Sequence, residues 1–187
     1  MYRRINNNIW KEYEKGNINQ KELKIKRFKI LSDKLNIKFD EHEFAKTYMK
    51  YLSSSSFLYK ESLPPIKDLS KNYKLLIITN GLSSVQNNRI KKSSISKYFD
   101  DIIISEEAGF QKPNPYIFEY SLRKFNEIDK RKVLIIGDSL TLDIQGGINF
   151  GIDTCWFNPE KLKNDTKLKP TYEISNILEV KNILKEA

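Results

Sequence analysis

The sequence predicts an α/β protein: a Rossmann-like, doubly wound parallel sheet preceded by a helical N-terminal segment. Three observations carry this expectation. Short β-branched and apolar runs at Lys74–Ile78, Ile102–Ile104, Val133–Ile136 and Thr154–Phe157 show no polar alternation, as expected of strands buried on both faces. Stretches with helical spacing separate these runs, so the connections read as crossovers between parallel strands. Residues 1–62 carry charged helical patterning instead, and Pro64-Pro65 marks the change.

The elements follow in order. Leu23, Ile25, Phe28, Leu31 and Leu35 fall near helical spacing, as do Phe44, Tyr48 and Leu52 after Asp40, a plausible N-cap. Ser53–Ser56 reads as a helix end and loop, because no glycine accompanies it as a phosphate-binding turn would require. Pro64 and Pro65 begin a short helix. Beyond it, helices are expected near 83–93, 115–125, 140–150 and 175–184, with a weaker strand at Tyr172–Ile174. The division is therefore residues 1–62, helical, and residues 63–187, an α/β core.

Composition narrows the class. A chain of 187 residues can bury roughly 70% of its unfolded surface and needs no covalent staple. Cys155 is the only cysteine, so no intramolecular disulfide is possible. No apolar run approaches the roughly 18 residues of a membrane span. Tyr2-Arg3-Arg4 is followed by Asn and charged residues and not by an apolar leader, so the expected location is cytoplasmic. The net charge of +9 raises nucleic-acid binding as a possibility. However, only six of the 33 basic residues are Arg, at 3, 4, 27, 89, 123 and 131, and they are scattered. Nucleic-acid readers favour Arg for bidentate contacts, so solvated lysine-rich faces are the expected meaning.

Chemistry is expected at the carboxyl ends of the strands, where open α/β sheets bind ligands. The first strand runs into Thr79-Asn80-Gly81, offering a hydroxyl and a flexible turn, followed by a helix near Ser83 whose positive end favours a phosphate. After the second strand comes Gln111-Lys112-Pro113-Asn114-Pro115. Asn114 suits an N-cap and Pro115 a first helical residue, while Lys112 is left as a cation at the ligand edge. The third strand ends in Gly137-Asp138-Ser139, with Asp143 five residues beyond Asp138. A carboxylate beside Gly at a strand end suits a magnesium ion, or alternatively a helix cap. Asp143 can orient Lys112 or a metal-bound water. Gly146 and Gly147 let the next helix lie close on the sheet, and Gly151 closes it. His42 is the only histidine, which excludes His-based triads and His-rich zinc sites.

Taken together, a strand ending in Thr, a Lys-Pro loop and a Gly-Asp-x4-Asp strand end resemble the haloacid dehalogenase superfamily of phosphohydrolases over essentially the whole chain. Thr79 matches its second motif, Lys112 its third, and Asp138 with Asp143 its fourth. Ile77-Ile78-Thr79-Asn80-Gly81, Ile104-Ser105-Glu106-Glu107-Ala108-Gly109, Gly146-Gly147-Ile148-Asn149 and Thr154-Cys155-Trp156-Phe157-Asn158 look like the YjjG/YfnB group of pyrimidine nucleoside 5′-monophosphate phosphatases. Residues 1–62, with Asn8-Ile9-Trp10 and Tyr13-Glu14-Lys15-Gly16, look like part of that group's helical cap. The resemblance implies Mg2+-dependent hydrolysis of a small-molecule phosphate ester, most specifically a nucleoside monophosphate, through an aspartyl phosphate. Lys112 and Asp143 would serve catalysis. Thr79, Asn80, Gly81 and Lys112 would bind substrate, and Asp138 and Asp143 the metal.

The family's first motif is a central strand ending in Asp-x-Asp-x-Thr, whose first Asp attacks phosphorus and whose second transfers protons. No Asp-x-Asp occurs in these residues. Three expectations follow: an N-terminally truncated nucleotidase or related phosphatase, an inactive phosphate- or nucleotide-binding fragment, or a basic interaction module. In the first two, the strands ending at Thr79 and Gly137 either stay apart or pair directly. A different segment between them would contradict this topology.

Overall fold

The computed structural model describes residues 1–125 and 128–184. The chain divides into two compact units, Met1–Ser55 and Ser56–Ala187.

The first unit holds α1 (Tyr2–Glu14), α2 (Gln20–Leu35) and α3 (Glu41–Ser54). Their ends follow from local chemistry. Asn19 and Glu22 form a reciprocal capping box at the start of α2, and Asn36 ends that helix in the left-handed region. Asp40 accepts from the His42 and Glu43 N–H groups, as an N-cap should. Ile5, Ile9, Leu23, Phe28 and Ala45 are buried, and Phe28 touches the rings of Tyr2, Phe44 and Tyr48. Leu35 lies exposed, whereas Arg27 is buried. The Arg27 guanidinium lies over the Phe28 and Tyr48 rings and donates to Asn6 Oδ1 at 2.8 Å. Those contacts let a charged group lie buried in the helical unit.

The second unit begins with α4 (Leu63–Leu69), carrying Pro64 and Pro65 in its first turn. Strand β1 (Leu76–Thr79) leads to α5 (Ser83–Lys91), and β2 (Asp101–Ile104) to the short α6 (Ser105–Ala108) and α7 (Pro115–Leu122). Strand β3 (Leu134–Gly137) is followed by a π-helical turn, Leu140–Ile144, and α8 (Gln145–Phe150). β4 (Asp153–Phe157), β5 (Tyr172–Ile174) and α9 (Val180–Ile183) complete the unit. Helix α7 stops at Leu122, short of the expected 125. The expected helix at 175–184 is a 3-10 turn, Ile177–Glu179, running into α9.

All strand pairs are parallel, but they fall into two sheets. β1 pairs with β2, and β3, β4 and β5 pair in that order. Direct pairing of β1 with β3 is thus not found. The peptide of Leu75 bonds toward Asp100, so alternation turns Leu76 and Ile78 away from β2. Likewise Val133 O accepts from Asp153 N, which turns Leu134 and Ile136 away from β4. Both sheets still share one helical layer. Ile103, Ile117, Phe118 and Ile152 form a core packed by Leu76 and Ile78 of β1 and by Val133 and Ile135 beside or within β3. On the other side, Cys155, Ile174 and Val180 gather Leu134, Ile136, Leu69 and Ile177. β3 is therefore covered on both faces, which is why its sequence shows no alternation. Among the described residues, no helix is long and apolar enough to cross a membrane.

Candidate active site at the carboxyl ends of β1 and β3

Lys112 is the hub of the site. Its Nζ donates to Ile78 O at 2.8 Å and to Asp143 Oδ1 at 2.6 Å. The first contact uses a carbonyl at the unpaired edge of β1. The second reaches the turn after β3. One ammonium therefore ties the ends of two sheets that share no ladder. The Lys112 and Asp143 side chains are only 11% and 7% exposed. Solvent screening is weak for a pair this deep, and either charge left alone would be costly.

The Lys112 loop is clamped from two directions. Asn80 Oδ1 accepts from Lys112 N and Asn80 Nδ2 donates to Lys112 O, each at 2.9 Å. Asn149 Nδ2, from α8, donates to Pro113 O at 3.1 Å. The Lys112–Pro113 peptide is cis. Asn114 caps α7 through Tyr116 N with Pro115 in the first turn, as its sequence indicated.

Asp143 is fixed at both oxygens, because Oδ2 accepts from Ser139 N at 3.0 Å. Its side chain folds back against the end of β3. A Cβ on Gly137 would lie 2.2 Å from the Asp143 carboxyl, so this strand end admits only glycine without rearrangement. A Cβ on Gly147 would meet Ile135 Cγ2 at 2.5 Å and Thr154 Cγ2 at 2.6 Å, which accounts for the close seat of α8.

Asp138 differs from Asp143. It is exposed, and its carboxylate makes no hydrogen bond or ion pair among the described residues. Its carbonyl accepts from Trp156 Nε1 at 3.1 Å, which pins the main chain at that point. The N-cap of the following turn is Ser139, through Leu142 N, so Asp138 does not have the capping role. Asp138, Ser139, Thr141, Trp156, Lys163 and Asp165 help line an open cleft of about 450 Å³.

The turn after β1 corrects one expectation. Thr79 Oγ1 accepts from Gly81 N at 3.1 Å, so that N–H is already engaged. The first N–H of α5, on Ser83, donates to Glu106 Oε2 at 2.7 Å. A helix N-terminus attracts an anion, and here the chain supplies its own carboxylate. The positive end of α5 is therefore not left open for a phosphate. The Thr79 hydroxyl, used as an acceptor by Gly81, keeps its own proton for another partner.

The structure thus brings Asn80, Lys112 and Asp143 into direct contact and places Thr79 with Gly81 in one turn. Asp138 stands at the adjoining strand end. Sequence reasoning missed the Asn80 clamp, Asn149, Glu106 and the Trp156 indole contact. The family of sequences with this constellation is specific. Residues 3–157 match the model of the haloacid dehalogenase-like hydrolases.

The chain belongs to that family.

Among relatives of this haloacid dehalogenase-like chain, the pyrimidine 5′-nucleotidase YjjG of Escherichia coli is 31% identical over 98% of the chain and 80% of the relative. The pyrimidine 5′-nucleotidase PynA of Streptococcus pneumoniae is 35% identical over 97% of the chain and 79% of the relative. The HAD-hydrolase YfnB of Bacillus subtilis, solved in an orthorhombic form bound to magnesium, superposes with a TM-score of 0.90. It is 36% identical, with 98% of this chain and 80% of YfnB covered. Hydrolase chemistry of the phosphatase type follows from this membership and these relatives.

The donor set can be weighed against a magnesium ion. Both Asp143 oxygens are engaged, and no group of three or more His, Cys, Asp and Glu side chains gathers at metal-binding distance among the described residues. Asp138 is one free carboxylate on a fixed main chain. That fits an ion that usually keeps several waters and takes one or two carboxylates beside a substrate phosphate.

Proposed function

We propose that the chain carries the phosphate-holding side of a phosphomonoester hydrolase site for pyrimidine nucleoside monophosphates. The observation that carries this is the Lys112 ammonium, held by Ile78 O and Asp143 at the joint end of β1 and β3. A rigid, nearly buried cation at the end of the strand that closes on Thr79 is suited to a phosphoryl group, whose charge it neutralises. YjjG and PynA, pyrimidine 5′-nucleotidases over nearly the whole of this chain, support the substrate class.

In this reading Thr79 donates its hydroxyl proton to a phosphate oxygen, and the Asn80-Gly81 turn lies against the same group. Asp138 would hold magnesium, with Asp143 supporting Lys112. Magnesium, when bound, supplies charge neutralisation at the phosphoryl oxygens. Residues 1–62 would form part of a helical cap. No Asp-x-Asp strand lies within these residues to supply the attacking and proton-transferring carboxylates. A strand of that kind would find partners in the outward-facing peptides of Leu76 and Ile78 on β1 and of Leu134 and Ile136 on β3. Without it, the chain binds phosphate and does not turn it over.

Phosphate release from UMP and dUMP in the presence of magnesium tests this. The 187 residues alone should release none. The same chain preceded by an apolar strand ending in Asp-x-Asp-x-Thr should release it, and Lys112→Ala should abolish that release. Strong turnover by the 187 residues alone would overturn the assignment of the nucleophile. Turnover of sugar phosphates in preference to UMP would overturn the substrate class.

A further inference from the structure

Asn80 sits where a phosphate-binding turn would place a ligand, yet its side chain faces elsewhere. Both polar atoms of its amide are matched to one peptide: Oδ1 to the Lys112 N–H and Nδ2 to the Lys112 carbonyl, both at 2.9 Å and part-buried. This is the pattern of a strand rung, made by a side chain. The Lys112 ammonium then reaches Ile78 O, two residues before Asn80. Lys112 is consequently held at its main chain by the residue after β1 and at its tip by Ile78 within β1. The main-chain clamp determines where the ammonium can lie, because a lysine side chain is otherwise a flexible four-carbon stem.

We propose that the Asn80 side chain is a positioning residue that acts through Lys112 and not a ligand for the phosphate. This rests on the reading of Lys112 as the phosphate-facing cation. It deepens that reading by naming what fixes the cation in place. Neither glutamine nor serine reproduces the contact: one more methylene displaces the amide, and a lone hydroxyl cannot span both Lys112 groups. Aspartate keeps the acceptor for Lys112 N–H and loses the donor to Lys112 O.

Lysine acylation of the 187-residue chain, read peptide by peptide by mass spectrometry, tests the positioning directly. Lys74, whose side chain is 71% exposed, serves as the internal reference. In the unmodified chain Lys112 should react far more slowly than Lys74. Asn80→Ala should raise the Lys112 rate roughly tenfold, the factor expected when two neutral hydrogen bonds holding the loop are lost, and leave Lys74 unchanged. If Asn80→Ala loses the fold, seen as equal gains at all lysines, Asn80→Asp carries the test with a selective rise of about threefold from the one lost bond. A Lys112 rate unmoved in a folded variant, or a gain shared by Lys74 in both variants, overturns the proposal.

Binding of inorganic phosphate with magnesium separates this inference from the reading beneath it. Asn80→Ala should weaken binding in the unmodified chain and cause no further loss in a Lys112→Ala background. A further loss there would show Asn80 meeting phosphate itself and overturn the proposal. If the unmodified chain binds no phosphate, the reading of the site fails, while the acylation result still decides the role of Asn80.

Discussion

Replacing Asp143 by Asn removes one charge from the Lys112 pair and little else. Asparagine is nearly isosteric and keeps an oxygen for the Ser139 N–H. Lys112 would then hold its charge with Ile78 O as its remaining partner. Both side chains are almost fully buried, so the full cost of an uncompensated interior charge applies, about 3–5 kcal/mol. For a chain of this size that corresponds to a midpoint lowered by roughly 6–20 °C. Removing both partners, as Lys112→Met with Asp143→Leu, should cost far less than the sum of the single changes, because no lone charge remains. Urea unfolding followed by Trp156 fluorescence reads the α/β unit, with Trp10→Phe removing the other tryptophan. A stability of Asp143→Asn within about 0.5 kcal/mol of the parent, a range typical of surface changes, would contradict a buried ion pair here. So would a double variant as unstable as the two singles added.

Gly147→Ala should destabilise the same unit by about 1–3 kcal/mol, since the new methyl meets two branched side chains within 2.6 Å; a gain in stability would show that α8 can lift off the strands at no cost. Asp68 predicts an acid response. Hydrogen bonds from Lys181 and Lys71 hold its carboxyl down from 3.8 to about 2. A depressed folded value stabilises the fold above the unfolded value, and this contribution is lost as pH falls from near 3.8 through about 2. A carboxyl 13C titration of Asp68 should have its midpoint near 2, and a midpoint near 3.8 would mean that Lys181 does not engage it.

The strands were legible because each is apolar on both faces, and that double coverage is what the two cores provide at Leu134 and Ile136 against Val133 and Ile135. Lys112 and Asp143 were legible through order: a Lys-Pro loop after one strand and a Gly-Asp-x4-Asp after the next bring them to one edge. Gly146 and Gly147 were legible as close approaches. Other features depend on partners that sequence does not name. Asn80 lies 32 residues from the peptide it clamps, and Glu106 lies 23 residues from the helix end it neutralises. Local spacing made the α5 terminus a phosphate site; the carboxylate that takes it comes from α6. In α2, spacing favoured Leu35 for the interior. The aromatic faces that accept Arg27 are assembled from Phe28 and from Tyr48 of α3, and became visible only on folding.

In the proposed site Thr79, Lys112 and Asp138 together hold phosphate and magnesium. Titration calorimetry of the 187-residue chain with inorganic phosphate, with and without magnesium, tests it most directly. Binding should strengthen with magnesium, weaken in Lys112→Ala, and lose its magnesium dependence in Asp138→Asn. Phosphate binding that is absent, or that survives both substitutions unchanged, would contradict it.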